Sequence, residues 1–241
     1  MEFFRKNYKV ILAIIAIGFI TVSIFLHTSE NYFWYRLVRG IFGYSILILL
    51  LTAYGRKVPK WIVGFLVLNG ASCITTIWFE NEMMASITMI LAFVSFLMFF
   101  SYVIPKIRFV HFTTIFSLLF IVILFVNGYL FIQLIEAMKD FTLSETQYVV
   151  MLLSGICASL IGFFALHQNH IYNNSQSMTF MILVILLIFA GIFRGIGYYN
   201  LVYGNVFIYL ARILYALSLW VLFHFAVMEI KIKEDGKTLA A

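Results

Sequence analysis

Hydrophobic residues run along this chain in eight stretches of roughly twenty, separated by short polar segments. A helix rises about 1.5 Å per residue, so each stretch is long enough to cross the ~30 Å hydrocarbon core of a bilayer. Backbone amides surrounded by lipid must bond within their own segment, which favours helices. The sequence therefore predicts an all-α polytopic membrane helix bundle, with eight transmembrane helices in a single domain over residues 1–241. The predicted spans are 9–27, 32–53, 60–79, 84–104, 110–135, 147–166, 178–199 and 205–229.

The composition agrees with this pattern. Hydrophobic residues make up 64% of the chain, charged residues 11%, and the mean hydropathy is +1.04. A water-soluble domain of this length needs a much more charged surface, so a soluble enzyme is excluded. The first apolar stretch has a basic flank, as a signal peptide has. The residues from His27 to Glu30 do not form a small-residue cleavage site, and we expect a retained span.

Basic residues are concentrated in alternate connections between the predicted spans. With eight spans, eleven of the sixteen Lys and Arg residues fall on one side. The positive-inside rule predicts that this side is cytoplasmic, with both termini inside a cytoplasmic (inner) membrane. Because the net charge of +6 resides mostly in these loops, it does not indicate nucleic-acid binding. The eleven residues are Arg5, Lys6, Lys9, Arg56, Lys57, Lys60, Lys106, Arg108, Lys231, Lys233 and Lys237.

Four arginines lie inside or at the rim of the predicted spans, all in the outer half of the membrane by this topology. Arginine at the centre of a membrane helix costs about 2.5–3.5 kcal/mol on insertion scales and usually marks a functional site. Guanidinium groups bind carboxylates and phosphates through paired hydrogen bonds. We therefore expect these arginines, with nearby tyrosines, to bind an anionic lipid or other amphiphile. The predicted ligand-binding residues are Arg36, Arg39, Arg194, Arg212, Tyr198, Tyr209 and Tyr215.

Two structural alternatives compete with this interpretation. Arg36 and Arg39 begin the second span, from which long side chains can extend outward to lipid headgroups. Arg194 and Arg212 would instead be neutralised by internal salt bridges to Glu80, Glu82 or Glu136. In that case the protein is a structural or assembly subunit of a membrane complex, and its arginines bind no ligand.

Other chemistry has little support in the sequence. His167 and His170 resemble a metal-binding pair, but the predicted loop that carries them offers no third ligand. We expect no metal and no cofactor. The span interiors contain no lysine for a retinal Schiff base, and the span centres contain no carboxylate for a proton relay.

Three segments resemble the YhhN family of eight-span, lysoplasmalogenase-like membrane proteins. Tyr35-Arg-Leu-Val-Arg-Gly40 is similar to the basic segment of that family that ends in Lys-Pro. Phe93-Val-Ser-Phe-Leu-Met-Phe-Phe-Ser-Tyr102 resembles its Phe-Leu-x-x-His-x-x-Tyr stretch, with Phe100 in place of the histidine. Tyr209-Leu-Ala-Arg212 resembles its Tyr-x-x-Ala-Gln stretch, with arginine in place of glutamine. The resemblance implies an eight-helix fold and a lysophospholipid as substrate or ligand.

The family's two aspartates are missing from the corresponding segments. The end of the third span, Ile77-Trp-Phe-Glu-Asn81, lacks the Gly-Asp of the family, and Leu160-Ile-Gly-Phe-Phe164 lacks the Ser-Asp. Vinyl-ether hydrolysis needs an acid and a base, and Glu80 is the candidate for one of them. The leading hypothesis is therefore a YhhN-like protein that binds an amphiphile without the usual catalytic acids. A lysoplasmalogen hydrolase that uses Glu80 as a relocated acid is the enzymatic alternative. Membrane lipids and an amphiphilic small molecule are the expected partners, and the oligomeric state is left open.

Overall fold

The computed structural model describes residues 2–106, 114–199 and 204–238, and the side chains of 5–106, 118, 121–199 and 204–234 within them. Within these ranges the chain forms eight α-helices and no strand. All eight helices are long and apolar enough to cross a membrane, which confirms the predicted all-α, multi-span fold. The helices are α1 (Glu2–Thr28), α2 (Tyr32–Tyr54), α3 (Lys60–Thr75), α4 (Glu82–Val103), α5 (Thr114–Met138), α6 (Glu145–Tyr172), α7 (Ser175–Tyr198) and α8 (Gly204–Thr238).

Several helices extend beyond the predicted apolar spans. α1 begins at Glu2 rather than at residue 9, and α8 continues to Thr238 rather than ending at 229. Residues 110–113 of the predicted fifth span and Arg108 lie outside the described residues. The prediction that His167 and His170 lie in a loop is wrong, because both residues lie on α6 and His167 is buried. Among the described residues no cluster of His, Cys, Asp or Glu could hold a metal ion.

Two adjacent asparagines explain why α6 extends so far. Asn173 adopts a left-handed conformation (φ 37°) and ends α6. The side chain of Asn174 then accepts a 2.8 Å hydrogen bond from the backbone N–H of Ser177, and the Ser177 hydroxyl accepts one from the backbone N–H of Asn174. This capping box starts α7 after a connection of only two residues, so hydropathy alone ended the sixth span too early and began the seventh too late.

Seven helices form a closed ring in which each packs against the next, in the order α1, α2, α3, α4, α6, α7, α8 and back to α1. α5 lies outside this ring against α6, and Met138 in its last turn reaches Gly195 of α7. Glycine allows the closest approaches, since a Cβ atom at Gly40 of α2 would lie 2.6 Å from Ile74 Cγ1 of α3. Small residues at helix contacts are typical of membrane bundles, where lipid supplies no hydrophobic driving force between helices.

The two ends of the bundle differ in charge. One end, here called the basic end, holds the starts of the odd-numbered helices and the ends of the even-numbered ones. There Arg5 donates hydrogen bonds to the carbonyl of Ala53, and Lys57 forms an ion pair with Glu234. The four arginines of the predicted site lie toward the opposite end. The position of these basic residues at one end agrees with the prediction that basic loops lie on one side of the membrane.

The interior of the ring is filled in one half and open in the other. Towards the basic end it holds an aromatic cluster with ring centroids 4.6–6.5 Å apart. Towards the opposite end the same interior contains a cavity bordered by the arginines. The bundle therefore has a packed half and a half with room for a ligand. The aromatic cluster comprises Trp61, Phe99, Tyr102, Phe180 and Phe225.

Candidate ligand-binding site

A cavity of about 300 Å³ lies towards the end opposite the basic end and reaches from the interior of the ring to α5 outside it, and we call it the arginine cavity. Helices α2 to α8 all contribute to its wall, and α1 does not. Its volume is at the lower end of the range of about 300–1,000 Å³ for small-molecule sites. The wall on the side of α4, α5 and α6 is mostly apolar, with Phe96, Phe131 and Ala158 among its residues.

All four predicted arginines line this cavity, although they come from three different helices. Arg36 and Arg39 lie in the first turns of α2, Arg194 near the end of α7 and Arg212 near the start of α8. Arg212 lies eight residues after Gly204, a rise of about 12 Å along the helix. The structure thus brings together residues that are up to 176 positions apart in the sequence.

Arg39 is held deep inside the protein rather than at its surface. Its side chain is buried, and its Nη2 atom donates a 2.7 Å hydrogen bond to Thr76 Oγ1 in the turn after α3. The Nε atom is buried without a hydrogen-bond partner. No carboxylate pairs with Arg39 among the described residues. The alternative in which Arg39 extends outward to lipid headgroups is therefore wrong for this residue.

Arg212 is held by one tyrosine of α2. Its Nε donates a 2.8 Å hydrogen bond to Tyr35 Oη, and its Nη2 donates a longer one, 3.4 Å, to the Tyr35 carbonyl. The guanidinium carbon lies 3.9 Å from the centroid of the Tyr35 ring, a cation–π contact. Arg212 is buried and its Nη1 atom has no partner. Tyr35 therefore fixes the orientation of Arg212 but leaves its charge uncompensated.

Arg194 is the least satisfied of the four arginines. It forms no hydrogen bond or ion pair with any side chain that the structure describes. It lies within the bundle, close enough to Arg39 and Arg212 for their charges to repel one another. Its side chain nevertheless has a large exposed surface, because it borders the open space of the arginine cavity. Gly191, one turn earlier on α7, also borders this space, and a Cβ atom there would meet nothing within 4 Å.

The charge in the wall of the cavity is not balanced. No acidic side chain is found among the described residues that line it. The salt bridges from Arg194 or Arg212 to Glu80, Glu82 or Glu136, expected under the structural alternative, are absent from the described part of the chain. A buried charge without a counter-charge is costly, so the arrangement favours an anion from outside the protein.

Arg36 differs from the other three because it has a counter-ion. Its Nη1 and Nη2 atoms donate to the two carboxylate oxygens of Glu80, at 2.8 and 2.5 Å. Nη1 also donates to the carbonyls of Thr76 and Ile77 in the 3₁₀ turn after α3. The hydrogen bond from Arg36 lowers the pKa of Glu80, although the carboxylate is two-thirds exposed. An ionised, paired Glu80 is poorly suited to donate a proton as a general acid.

Comparisons of this chain with protein-family models, with curated proteins and with solved structures return no match. The resemblance to the YhhN family thus stays a prediction.

The predicted tyrosines divide into two groups. Tyr198 and Tyr215 line the arginine cavity, and Tyr215 donates a 2.8 Å hydrogen bond to Asn69 Oδ1 on α3. Tyr209 does not belong to the site. It faces α1, where its ring contacts the ring of His27 edge-on at 5.3 Å between centroids. The spacing of three residues from Arg212 put Tyr209 on nearly the same helical face, but the position of α1 decided its contacts.

The sequence interpretation missed two residues that hold the arginines, Tyr35 and Thr76. Tyr35 precedes Arg39 by four residues, so it shares a helical face with a predicted site residue. That spacing was a usable signal in the sequence. Thr76 follows α3 in a short 3₁₀ turn, and no pattern in the sequence singles it out.

A second open space lies beside the arginine cavity, nearer the helix ends. It has a volume of about 670 Å³ and is bordered by Glu80 and His27, among others. Tyr35, Arg36 and Tyr198 border both spaces. Glu80 therefore lies in this outer space and not in the wall of the arginine cavity.

Proposed function

We propose that this protein binds an anionic amphiphile in the arginine cavity and that it does so without catalysing a reaction. The observation that supports this most strongly is the set of three arginines, Arg39, Arg194 and Arg212, that border one cavity with no carboxylate beside them. Guanidinium groups bind phosphate and carboxylate oxygens strongly where water is scarce.

The apolar wall supports an amphiphile rather than a small inorganic anion. The arginines border the cavity from α2, α7 and α8, whereas α4, α5 and α6 contribute mainly hydrocarbon side chains. A ligand with a charged headgroup and an alkyl chain matches both surfaces. Such ligands are abundant around a protein whose eight helices are long and apolar enough to cross a membrane.

The cytoplasmic membrane, with both termini inside, is the location that the distribution of basic residues supports. In that orientation the arginine cavity opens within the outer half of the bilayer. This orientation can be tested with an impermeant maleimide applied to intact cells. The reagent should label a cysteine introduced at Ser29 and should not label one introduced at Lys57. Kinship with the YhhN family remains compatible with this proposal, which does not depend on it.

Hydrolysis of a lysoplasmalogen remains the enzymatic alternative, and the geometry around Glu80 does not favour it. Glu80 is bonded to Arg36 and lies outside the wall of the arginine cavity. Purified protein incubated with a lysoplasmalogen should release no aldehyde above the level of a Glu80→Gln variant. Release that depends on Glu80 would show that a reaction takes place in the outer space.

Native mass spectrometry of the detergent-solubilised protein tests the binding proposal. The double variant Arg194→Gln/Arg212→Gln should lose a co-purifying anionic amphiphile that the wild type retains. The matched control is Arg56→Gln, which removes a positive charge from an exposed position at the basic end. Equal retention by the wild type and the double variant would exclude the arginines as the binding groups.

The structural-subunit alternative makes a different prediction for the same residues. It requires strong coupling between an arginine of the cavity and a glutamate in a double-mutant cycle on thermal stability. Among the described residues only Arg36 has such a partner, and that pair is Arg36–Glu80. We therefore expect no coupling above about 0.5 kcal/mol between Arg194 and any glutamate.

A further inference from the structure

We infer that the headgroup bound in the arginine cavity is a terminal phosphate, carrying close to two negative charges, on an alkyl chain. This inference rests on the proposed function and specifies its ligand. It separates a phosphate monoester from phosphodiesters and carboxylates, which carry one charge at neutral pH.

Three of the four arginines at the cavity have no counter-charge beside them among the described residues. Arg36 is neutralised by Glu80, which leaves Arg39, Arg194 and Arg212 as three positive charges close enough to repel one another. A monoanion would leave two of these charges unbalanced inside the bundle. A phosphate monoester carries about −1.5 to −2 charge at pH 7 and presents three acceptor oxygens. It therefore matches the three arginines better in both charge and number of acceptors.

The hydrogen-bonding groups left free at the site are donors. Arg39 Nε and Arg212 Nη1 are buried without a partner, and both are N–H groups. The hydroxyls of Tyr35 and Thr76 already accept hydrogen bonds from these arginines, and the hydroxyl of Tyr215 already donates to Asn69. A headgroup rich in acceptors fits this arrangement, whereas an amine or sugar headgroup would bring donors to a site that is already donor-rich.

The apolar part of the wall places hydrocarbon beside the headgroup. The cavity of about 300 Å³ is also bordered by Phe96, Phe131 and Ala158, which come from α4, α5 and α6. A phosphate held by the arginines would therefore lie next to hydrocarbon side chains, which suits a headgroup that carries an alkyl chain.

The ionisation of the phosphate provides the test. A phosphate monoester has a second pKa of about 6, whereas the single pKa of a phosphodiester lies far below pH 5. The probes are dodecyl phosphate and dodecyl methyl phosphate, a phosphodiester with one charge at all pH values from 5 to 8. Their affinities are measured by isothermal titration calorimetry with the delipidated full-length protein in an uncharged maltoside detergent. We expect dodecyl phosphate to bind about tenfold more tightly than the diester at pH 7.5, and no more than about twofold more tightly at pH 5.

The protein has titratable groups of its own near the site, and the diester corrects for them. The cavity wall carries the four arginines and the phenols of Tyr35, Tyr198, Tyr199 and Tyr215, and no carboxylate or imidazole among the described residues. Glu80 is bonded to Arg36, and the His27 ring packs 5.1 Å from the ring of Tyr35. Protonation of His27 adds positive charge near Arg212, and at pH 5 it affects both probes alike because both are then mainly monoanions. The ratio of the two affinities therefore reports the charge of the ligand.

Arg194→Gln removes one of the three unpaired charges and should reduce the preference for the monoester at pH 7.5 to threefold or less. Arg56→Gln should leave it unchanged. If both probes bind equally at both pH values and lose affinity in Arg194→Gln, the phosphate inference is wrong and the proposed amphiphile binding stands. If neither probe binds in a way that depends on Arg194, both proposals are wrong.

Discussion

Replacement of Gly191 by leucine would fill part of the arginine cavity without altering any arginine. Gly191 borders the cavity one helical turn before Arg194, and a Cβ atom there meets nothing within 4 Å. A leucine side chain adds four carbon atoms, which take up about 100 Å³ if each has nearly the volume of a water molecule. This is about a third of the 300 Å³ available. The bound amphiphile should therefore be displaced, with affinity for dodecyl phosphate reduced at least tenfold.

The same substitution should stabilise the ligand-free protein. Filling about 100 Å³ of void at about 24 cal/mol per Å³ contributes up to about 2 kcal/mol. Replacing a glycine inside a helix adds about 0.8 kcal/mol. Water in the polar part of the cavity reduces the first figure, so we expect an increase of about 1–3 kcal/mol in the free energy of unfolding. Lower affinity combined with a higher Tm distinguishes occupation of the cavity from misfolding.

The assay compares native mass spectra, calorimetric affinities and Tm values of the wild type and two variants in the same detergent. The matched control is Gly18→Leu on the exposed face of α1, where a Cβ atom also meets nothing within 4 Å. The control should gain helix stability and keep its amphiphile. A folded Gly191→Leu protein that binds dodecyl phosphate as tightly as the wild type would refute the assignment of the ligand to this cavity.

Three further predictions concern the arginines and their partners. In delipidated protein, Arg194→Gln should raise the free energy of unfolding by no more than about 1 kcal/mol in a denaturation assay, because it removes an unpaired charge that Arg39 and Arg212 repel and that solvent in the open cavity partly screens; a decrease would show that Arg194 holds the fold together. Tyr35→Phe should lower it by about 1–3 kcal/mol, because Arg212 Nε loses its acceptor inside the bundle; an unchanged Tm would indicate that another group replaces the phenol. The pKa of Glu80 is lowered by its hydrogen bond from Arg36, so this pair contributes stability above the unfolded pKa of about 4.3 and loses it as the pH falls through the lower folded value. Glu80→Gln, which leaves the bonds from Arg36 to the backbone carbonyls in place, should accordingly reduce stability at pH 7 by no more than about 1 kcal/mol, because Glu80 is largely exposed, and by nothing measurable near pH 2; a difference that persists at pH 2 would contradict the ion pair as its source.

The sequence alone was sufficient for the all-α fold and its eight apolar helices. Hydropathy is a local property, and a run of about twenty apolar residues has few alternatives to a helix in lipid. The cost of a buried guanidinium also singled out Arg36, Arg39, Arg194 and Arg212, and all four line one cavity. Helix ends were less predictable, because the caps at Asn173 and Asn174 depend on backbone conformation rather than on hydropathy.

Only the tertiary structure decided which arginine is paired and which is free. Arg36 meets Glu80 from 44 positions away, and Arg212 meets Tyr35 from 177 positions away. Nothing in the local pattern distinguishes these partners from Glu82 or Tyr209. In lipid, hydrophobicity does not select the neighbours of a helix, so shape and close approach at small residues do. The closed ring of seven helices, and with it the uncompensated charge inside the cavity, follows from that packing and not from the order of apolar and polar residues.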